Sequence, residues 1–295
     1  MIGRRAFLKA IGLGLTSISA LALYSGLIEP FMRLNTTRYR LTPKGWPEGL
    51  KLRLVVLADI HACNPWMPVE RVSRLCDYAN SLGGDAILLL GDYLSGMRLV
   101  TEHISPEQTA KALSGLRAPL GVHAILGNHD WWEDPEAQRL RLPEPAIRKA
   151  LEAVGIPVLS NRAVRLEKDG KPFWITGLED QLAYQKGYDA EGLDDLPATL
   201  AQVTDDAPVI LMAHEPDIFP KVPERVALTL SGHTHGGQIN LFGWRPIVPS
   251  DYGQRYAYGH IVEGERDLIV SGGLGCSILP IRFLSPPEVL IVELG

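Results

Sequence analysis

Cysteine is scarce in this chain. Cys63, Cys76 and Cys276 are three in 295 residues, an odd number with no paired-ligand spacing, which excludes a disulfide-stapled scaffold and a thiolate zinc knot. Cys63 and Cys276 leave one pairing open, but plain thiols are the expectation. Basic clusters are missing too. Without residues 1–22, which hold Arg4, Arg5 and Lys9 and no acid, the formal charge deepens from −5 to −8. No run of Lys and Arg interleaved with aromatics appears, so a nucleic-acid partner is not expected, because neutralising a phosphate backbone takes a concentrated positive surface. There is no long low-complexity tract and no internal repeat. A serine-nucleophile elbow is also absent, which removes the Ser-His-Asp hydrolases.

What the chain does have is apolar residues, at 46% of its composition, enough to bury a substantial core. Its first thirty residues read as a separate unit. Arg4-Arg5-Ala-Phe-Leu-Lys9 precedes an uncharged apolar run from Ala10 to Ile28, a pattern similar to a twin-arginine export signal and close to membrane-spanning length. Ala20-Leu-Ala22 offers a small-residue cleavage site. Basic residues on the N-terminal side place the rest of the chain outside the cytoplasm whether or not the segment is removed. Residues 1–30 are therefore a signal or membrane anchor, 31–48 a linker or lead-in, and 49–295 one catalytic domain. The partners implied are the twin-arginine export machinery and, if the segment is uncleaved, the membrane. Nothing in the sequence sets the oligomeric state.

Within the body, apolar runs end repeatedly on polar phrases. Leu52–Ala58 leads to Asp59-Ile-His61, Asp85–Leu90 to Gly91-Asp92, and Gly121–Leu126 to Gly127-Asn-His-Asp130. Val209–Met212 precedes His214, and Val226–Leu230 precedes Gly232-His-Thr-His235. Helical periodicity over Val69–Leu82, Pro106–Leu116 and Pro145–Val154 alternates with the first three strands. That rhythm predicts an α/β fold of two packed mixed sheets flanked by helices, with the polar phrases at the carboxyl edge of the strands. Val158–Gly177 reads as a β-hairpin turning at Lys168-Asp-Gly170, and Asp267–Val270 and Glu288–Val292 as late strands. Carboxylate, amide and imidazole donors gathered at strand ends suit a metal centre.

The ordered set Asp-Ile-His, Gly-Asp, Gly-Asn-His-Asp, His and Gly-His-Thr-His resembles the calcineurin-like metallophosphoesterase family over about residues 50–240. The length, the start and the ending Gly272–Val289 resemble its exported bacterial phosphodiesterase-like members. The resemblance implies a binuclear centre of divalent Mn, Fe, Zn or Co. Asp59, His61 and His235 would hold one ion and Asn128, His214 and His233 the other, with Asp92 bridging both. It also implies a metal-held hydroxide attacking phosphorus in line, with His129 protonating the leaving oxygen or steadying the developing charge. Asp130 would orient His129 and raise its basicity, or else cap its loop. Two divalent ions against two aspartates leave a positive residue of charge that favours an anionic phosphate ester.

Hydrolysis of a phosphodiester or pyrophosphate is the expected activity, with a lipid or another envelope-derived compound among the candidate substrates. Phosphomonoester hydrolysis follows, then cleavage of a UDP-linked lipid precursor, and last a non-catalytic envelope protein stabilised by metal. Trp131–Pro145 is read as a lid or as a loop with its tryptophans in the core. Backbone N–H groups of Ser271–Gly275 and the Arg282 guanidinium are weaker candidates for phosphate contacts, while His103, His123 and His260 stand outside the set.

Overall fold

The computed structural model describes residues 3–187 and 189–295; the start of the 1–30 segment, Met1 and Ile2, lies outside them. Five of the six residues of Leu52–Leu57 (β2) are buried, all but Arg53, so the strand is covered on both faces from Leu54 onward. Beside it run β3 (Ala86–Leu89) and β4 (Val122–Ala124), all parallel. On its other side lie β11 (Glu288–Leu294), antiparallel to β2, and β1 (Asn35–Leu41), parallel to β11. A second sheet has the order β9 (Gly259–Glu263), β10 (Arg266–Val270), β8 (Val226–Ser231), β7 (Val209–Met212), β6 (Lys171–Gly177) and β5 (Arg162–Lys168). Its four central strands are parallel and its two edges antiparallel.

The sheets pack face to face. Leu54, Val56, Leu88 and Leu290 from the first meet Ile175, Ile210, Leu228 and Ile269 from the second in one apolar layer. The outer face of the first sheet is covered by α2 (Val69–Ser81), α3 (Pro106–Leu113) and α5 (Ala146–Ala153), through Leu75, Cys76, Leu113 and Leu151. Helix α3 starts on a Ser105 capping box with Pro106 in its first turn. Outside the second sheet, Ile218, Phe219 and Tyr256 close a third cluster. The fold class is thus the mixed α/β arrangement expected from the strand–helix rhythm.

The lead-in differs. Asn35–Leu41, read as linker, is the edge strand β1, paired along its length with β11. Its polar, half-buried alternation is what an edge requires, and its partner lies some 250 residues away, so local sequence carries little sign of it. Before it, α1 (Arg4–Leu23) continues through a short π-turn, Tyr24–Ile28, to Glu29–Met32. Gly12–Met32 is long and apolar enough to cross a membrane. Cys63, Cys76 and Cys276 are all free and buried, so the pairing left open is not made.

Candidate metal centre

Strands β2, β3, β7 and β8, together with the loop after β4, deliver the candidate ligands to one edge of the two sheets. Each chain reverses direction just there, and the turns are tight. Asp59, His61, Asp92, His233 and His235 all have φ between 51° and 66°, a left-handed conformation that is costly for residues with a Cβ and that clusters at functional sites. Gly91, at φ 91°, uses the freedom only glycine has. Gly127 and Gly232 do not. They are needed for room, since a Cβ would stand 2.4 Å from Asp92 Oδ1 at Gly127 and 2.7 Å from Asp59 Oδ2 at Gly232.

All seven expected ligands converge. Asp59, His61, Asp92 and His235 bring ligand atoms within 4.8 Å of one another, as do Asp92, His214 and His233. Asp92 belongs to both groups, with Oδ2 3.4 Å from His61 Nε2 and 3.3 Å from His214 Nε2. His61 and His235 face each other, Nε2 to Nε2, at 3.0 Å. Asn128 Oδ1 stands 2.9 Å from His233 Nδ1. Backbone carbonyls fix two of the rings: His61 Nδ1 donates to Leu94 O at 2.9 Å and His214 Nδ1 to Leu90 O at 2.6 Å. With Nδ1 engaged by a carbonyl, each ring turns its Nε2 inward.

These donors fit metal ions. Asp59 Oδ2 and His214 Nε2 are buried without any hydrogen-bond partner, which is costly unless something else satisfies them. His214 Nε2 lies near Asp92 but is not aligned to bond it. Burial pushes His61 down to about 3 and lowers His233 and His235, keeping these imidazoles neutral. Burial also lifts Asp59 to about 7. Against burial, Asp92 raises His214 and is itself held low by His214 and His129. An oxygen–nitrogen donor set without thiolate suits borderline divalent cations, whose binding would displace the protons held here.

His129 sits at the first turn of α4 (Asn128–Trp132) and packs edge-on against His61 at 5.0 Å between ring centroids. Its backbone N–H donates to Asp92 Oδ1. The expected orienting role of Asp130 is not what the structure shows. Both Asp130 oxygens are taken by the N–H groups of Gly127, Asp92, Tyr93 and Leu94, so it ties the β3 and β4 loops together, the loop-capping alternative. Glu133 instead accepts from His129 Nδ1 at 3.1 Å. It lies four residues on along a helical turn, a spacing that was there to be read. Across the ring, Ser277 Oγ lies 3.4 Å from Nε2.

Other weak candidates are used structurally. The N–H groups of Ser271 to Leu274 are bound by Ser231, Glu288, Ser271 Oγ and Ala58, and that of Gly275 by Asp59 O, leaving none for phosphate. Arg282 is fully buried, bonded to Gly275 and Ser285 carbonyls, with Nη2 3.3 Å from His235 Nδ1. It supports a ligand rather than reaching substrate. His103, His123 and His260 bond Ser95 O, Leu120 O and Asp267 respectively, outside the cluster. The two tryptophans divide: Trp131 is buried and donates to Glu179, while Trp132 borders the centre beside His129. Sequence reasoning missed Glu215, which faces His233 at 3.9 Å.

Above the cluster opens a cleft of 890 Å³ with Asp92, Asn128, His129, His233 and His235 among its lining residues. Its walls include Trp132, Leu182, Ile247 and Ile278, and Lys221 is the only Lys or Arg lining it among the described residues.

The calcineurin-like phosphoesterase family model matches residues 52–237. The chain is 30% identical to the metallophosphoesterase YkuE of Bacillus subtilis, covering 99% of this chain and 98% of that one. It is also 30% identical to the phosphodiesterase YaeI of Escherichia coli, over the whole of both. Among solved structures, the NAD nucleotidase NadN of Haemophilus influenzae overlays with a TM-score of 0.48 at 16% identity, across 76% of this chain and 51% of that one. The chain thus spans about half the length of that nucleotidase.

Proposed function

The chain belongs to the calcineurin-like phosphoesterase family, and on that premise we propose that it hydrolyses a phosphodiester or pyrophosphate bond at a centre of two divalent ions. One observation carries the reading: two donor groups share Asp92 directly beneath His129, on the floor of a cleft. Asp59, His61 and His235 would hold one ion, and Asn128, His214 and His233 the other. When bound, such ions supply Lewis acidity toward phosphoryl oxygen and lower the pKa of water.

The chain's own residues do the rest. Burial and fixed tautomers keep His61 and His214 aimed inward before any ligand arrives. Glu133 holds the His129 ring, so that Nε2 can deliver a proton to the leaving oxygen or steady its charge. The cleft favours a diester over a monoester. Its lining offers Lys221 alone against Asp194, Glu215, Asp217 and Asp251, a poor setting for a second phosphate charge and for nucleic acid alike. Apolar walls suit a substituent on the leaving side, consistent with an envelope-derived or amphipathic ester. The similarity to YaeI, a phosphodiesterase, supports the same choice.

We further propose that residues 1–30 export the chain by the twin-arginine route or hold it at the membrane, with residues 31–295 on the outer face. An outward position ranks a cytoplasmic UDP-linked lipid precursor below an external ester. The test is a rate panel with metal-analysed protein on mono- and diester substrates of matched leaving group. A kcat/KM at least about tenfold higher on the diester is expected, about 1.4 kcal/mol at the transition state. Equal rates on the pair would leave the diester preference without support.

A further inference from the structure

Four of the most exposed large apolar side chains on the body of the domain fall on two neighbouring segments. Phe242 is 92% exposed, Ile278 77%, Ile247 71% and Trp244 59%. They sit on two straps, residues 239–250 and 272–287, neither of which contains an aspartate or glutamate although acids outnumber bases in the chain. The straps are joined rather than loose. Asn240 N–H donates to Phe283 O, and the Gln238 amide donates to the carbonyls of Leu279 and Ile281. A hydrophobic patch held in this way on a soluble surface marks a site of contact.

The N-terminal helix indicates what covers it. The uncharged run Ala10–Ile28, helical throughout, rises about 28 Å, close to the thickness of a bilayer's hydrocarbon. Only 11% of the most apolar window of Gly12–Met32 is buried against the protein. Immediately after α1 the chain is fastened to the second strap. The Tyr24 ring meets Phe283 edge-on, Ser25 O accepts from Arg282 N–H at 2.9 Å, and Glu29 accepts from the N–H groups of Leu284 and Ser285. No slack separates an inserted helix from the domain, so insertion brings this strap to the membrane surface.

We infer that the rim carrying Phe242, Trp244, Ile247 and Ile278 docks on the lipid bilayer in which α1 is anchored. Aromatic side chains at its tip suit the interface between headgroups and acyl chains. Ile247 and Ile278 also line the cleft, so its mouth faces the headgroup layer.

The test uses the full chain reconstituted into phosphatidylcholine–phosphatidylglycerol vesicles. A polarity-sensitive fluorophore is attached at Phe242→Cys and, as a control, at Asp169→Cys on the hairpin between β5 and β6. Native thiols are buried and stay unlabelled. Nitroxide lipids are expected to quench the label at 242 several-fold and leave that at 169 unchanged. Equal behaviour at both positions overturns the proposal. In a Phe242→Glu/Trp244→Glu background, a label at Ile278→Cys should lose its quenching, and retained quenching there would also count against docking. The same double variant without a label should hydrolyse a soluble aryl diester in detergent at the wild-type rate; a slower rate would place these side chains in substrate handling and overturn a purely interfacial role. The fluorescence readouts need no turnover, so they stand apart from the proposed activity.

Discussion

The two edges of the same pair of sheets handle charge in opposite ways. At the carboxyl edge of the parallel strands, Asp59, Asp92, Asp130 and His214 are buried, and Asp59 Oδ2 and His214 Nε2 lack partners. At the other edge, Arg53 bonds Glu293 at 2.7 Å and Lys168 bonds Asp85 at 2.6 Å, all of them partly solvated. Five residues at the first edge take left-handed backbone angles, whereas near the second Asp169 does so within an ordinary hairpin turn. A groove bordered by Arg40, Lys51, Arg53, Asp85 and Lys168 opens at this second edge, so a concave shape and charged residues do not by themselves make a reactive site. What separates the edges is unmet bonding capacity under burial, retained at the cost of local strain.

Asp92 is where that contrast is sharpest, because both donor groups depend on it. Asp92→Ala is expected to lower kcat/KM on an aryl diester on the order of a thousandfold or more, about 4 kcal/mol. Metal analysis of the purified variant should show at least one ion fewer per chain. Full metal content with near-normal turnover would break the distinction between the edges.

His129 comes next. His129→Ala is expected to reduce kcat by about 10²–10⁴, the usual range for a general acid or base, with metal content preserved; loss of both together would make it a ligand. Glu133→Gln should cost about tenfold in kcat at unchanged KM and metal content, as partners that orient a histidine do. Asp130→Asn should act differently, lowering thermal stability, since its four amide donors belong to the loops after β3 and β4.

These pairs also show how far the sequence could be read. Strands such as Leu52–Leu57 and Val209–Met212 are legible because burial on both faces demands a largely apolar run, interrupted only by the exposed Arg53. The expected ligands are legible because each follows such a run directly. Asp130 was assigned to its neighbour in sequence, whereas its hydrogen bonds go largely to residues more than thirty positions earlier. Glu133 carries no motif and is recognised only through the helical turn it shares with His129. Ser271–Gly275 resembles an anion-binding loop until Glu288, Ser231 and Ala58 are seen to occupy its amides. Strand β1 depends on a partner at the far end of the chain, which no local pattern reports.

At the solvated edge, Lys168→Met should leave kcat unchanged and alter unfolding free energy by less than about 1 kcal/mol, because exposed ion pairs contribute little. Chemical denaturation measures it. A large loss would show that this edge, too, depends on particular charges.

Asp205 gives the smallest effect and a sign that can be checked. Near this edge its carboxylate accepts from the Trp174 indole at 2.7 Å and from Arg165 Nε at 2.8 Å. The Trp174 and Arg165 hydrogen bonds together hold it down at about 2. The folded state therefore favours the ionised form, so the stabilisation is complete above the ordinary carboxylate value near 4. It fades as pH falls from there through about 2, where the folded protein takes up the proton. Asp205→Asn cannot titrate, and its melting temperature should trail that of the wild type at neutral pH and converge with it below about pH 2. A gap that persists unchanged into acid would mean that Asp205 acts through packing alone. Activity should be unaffected across the series, because nothing in this charge cluster touches Asp92 or His129.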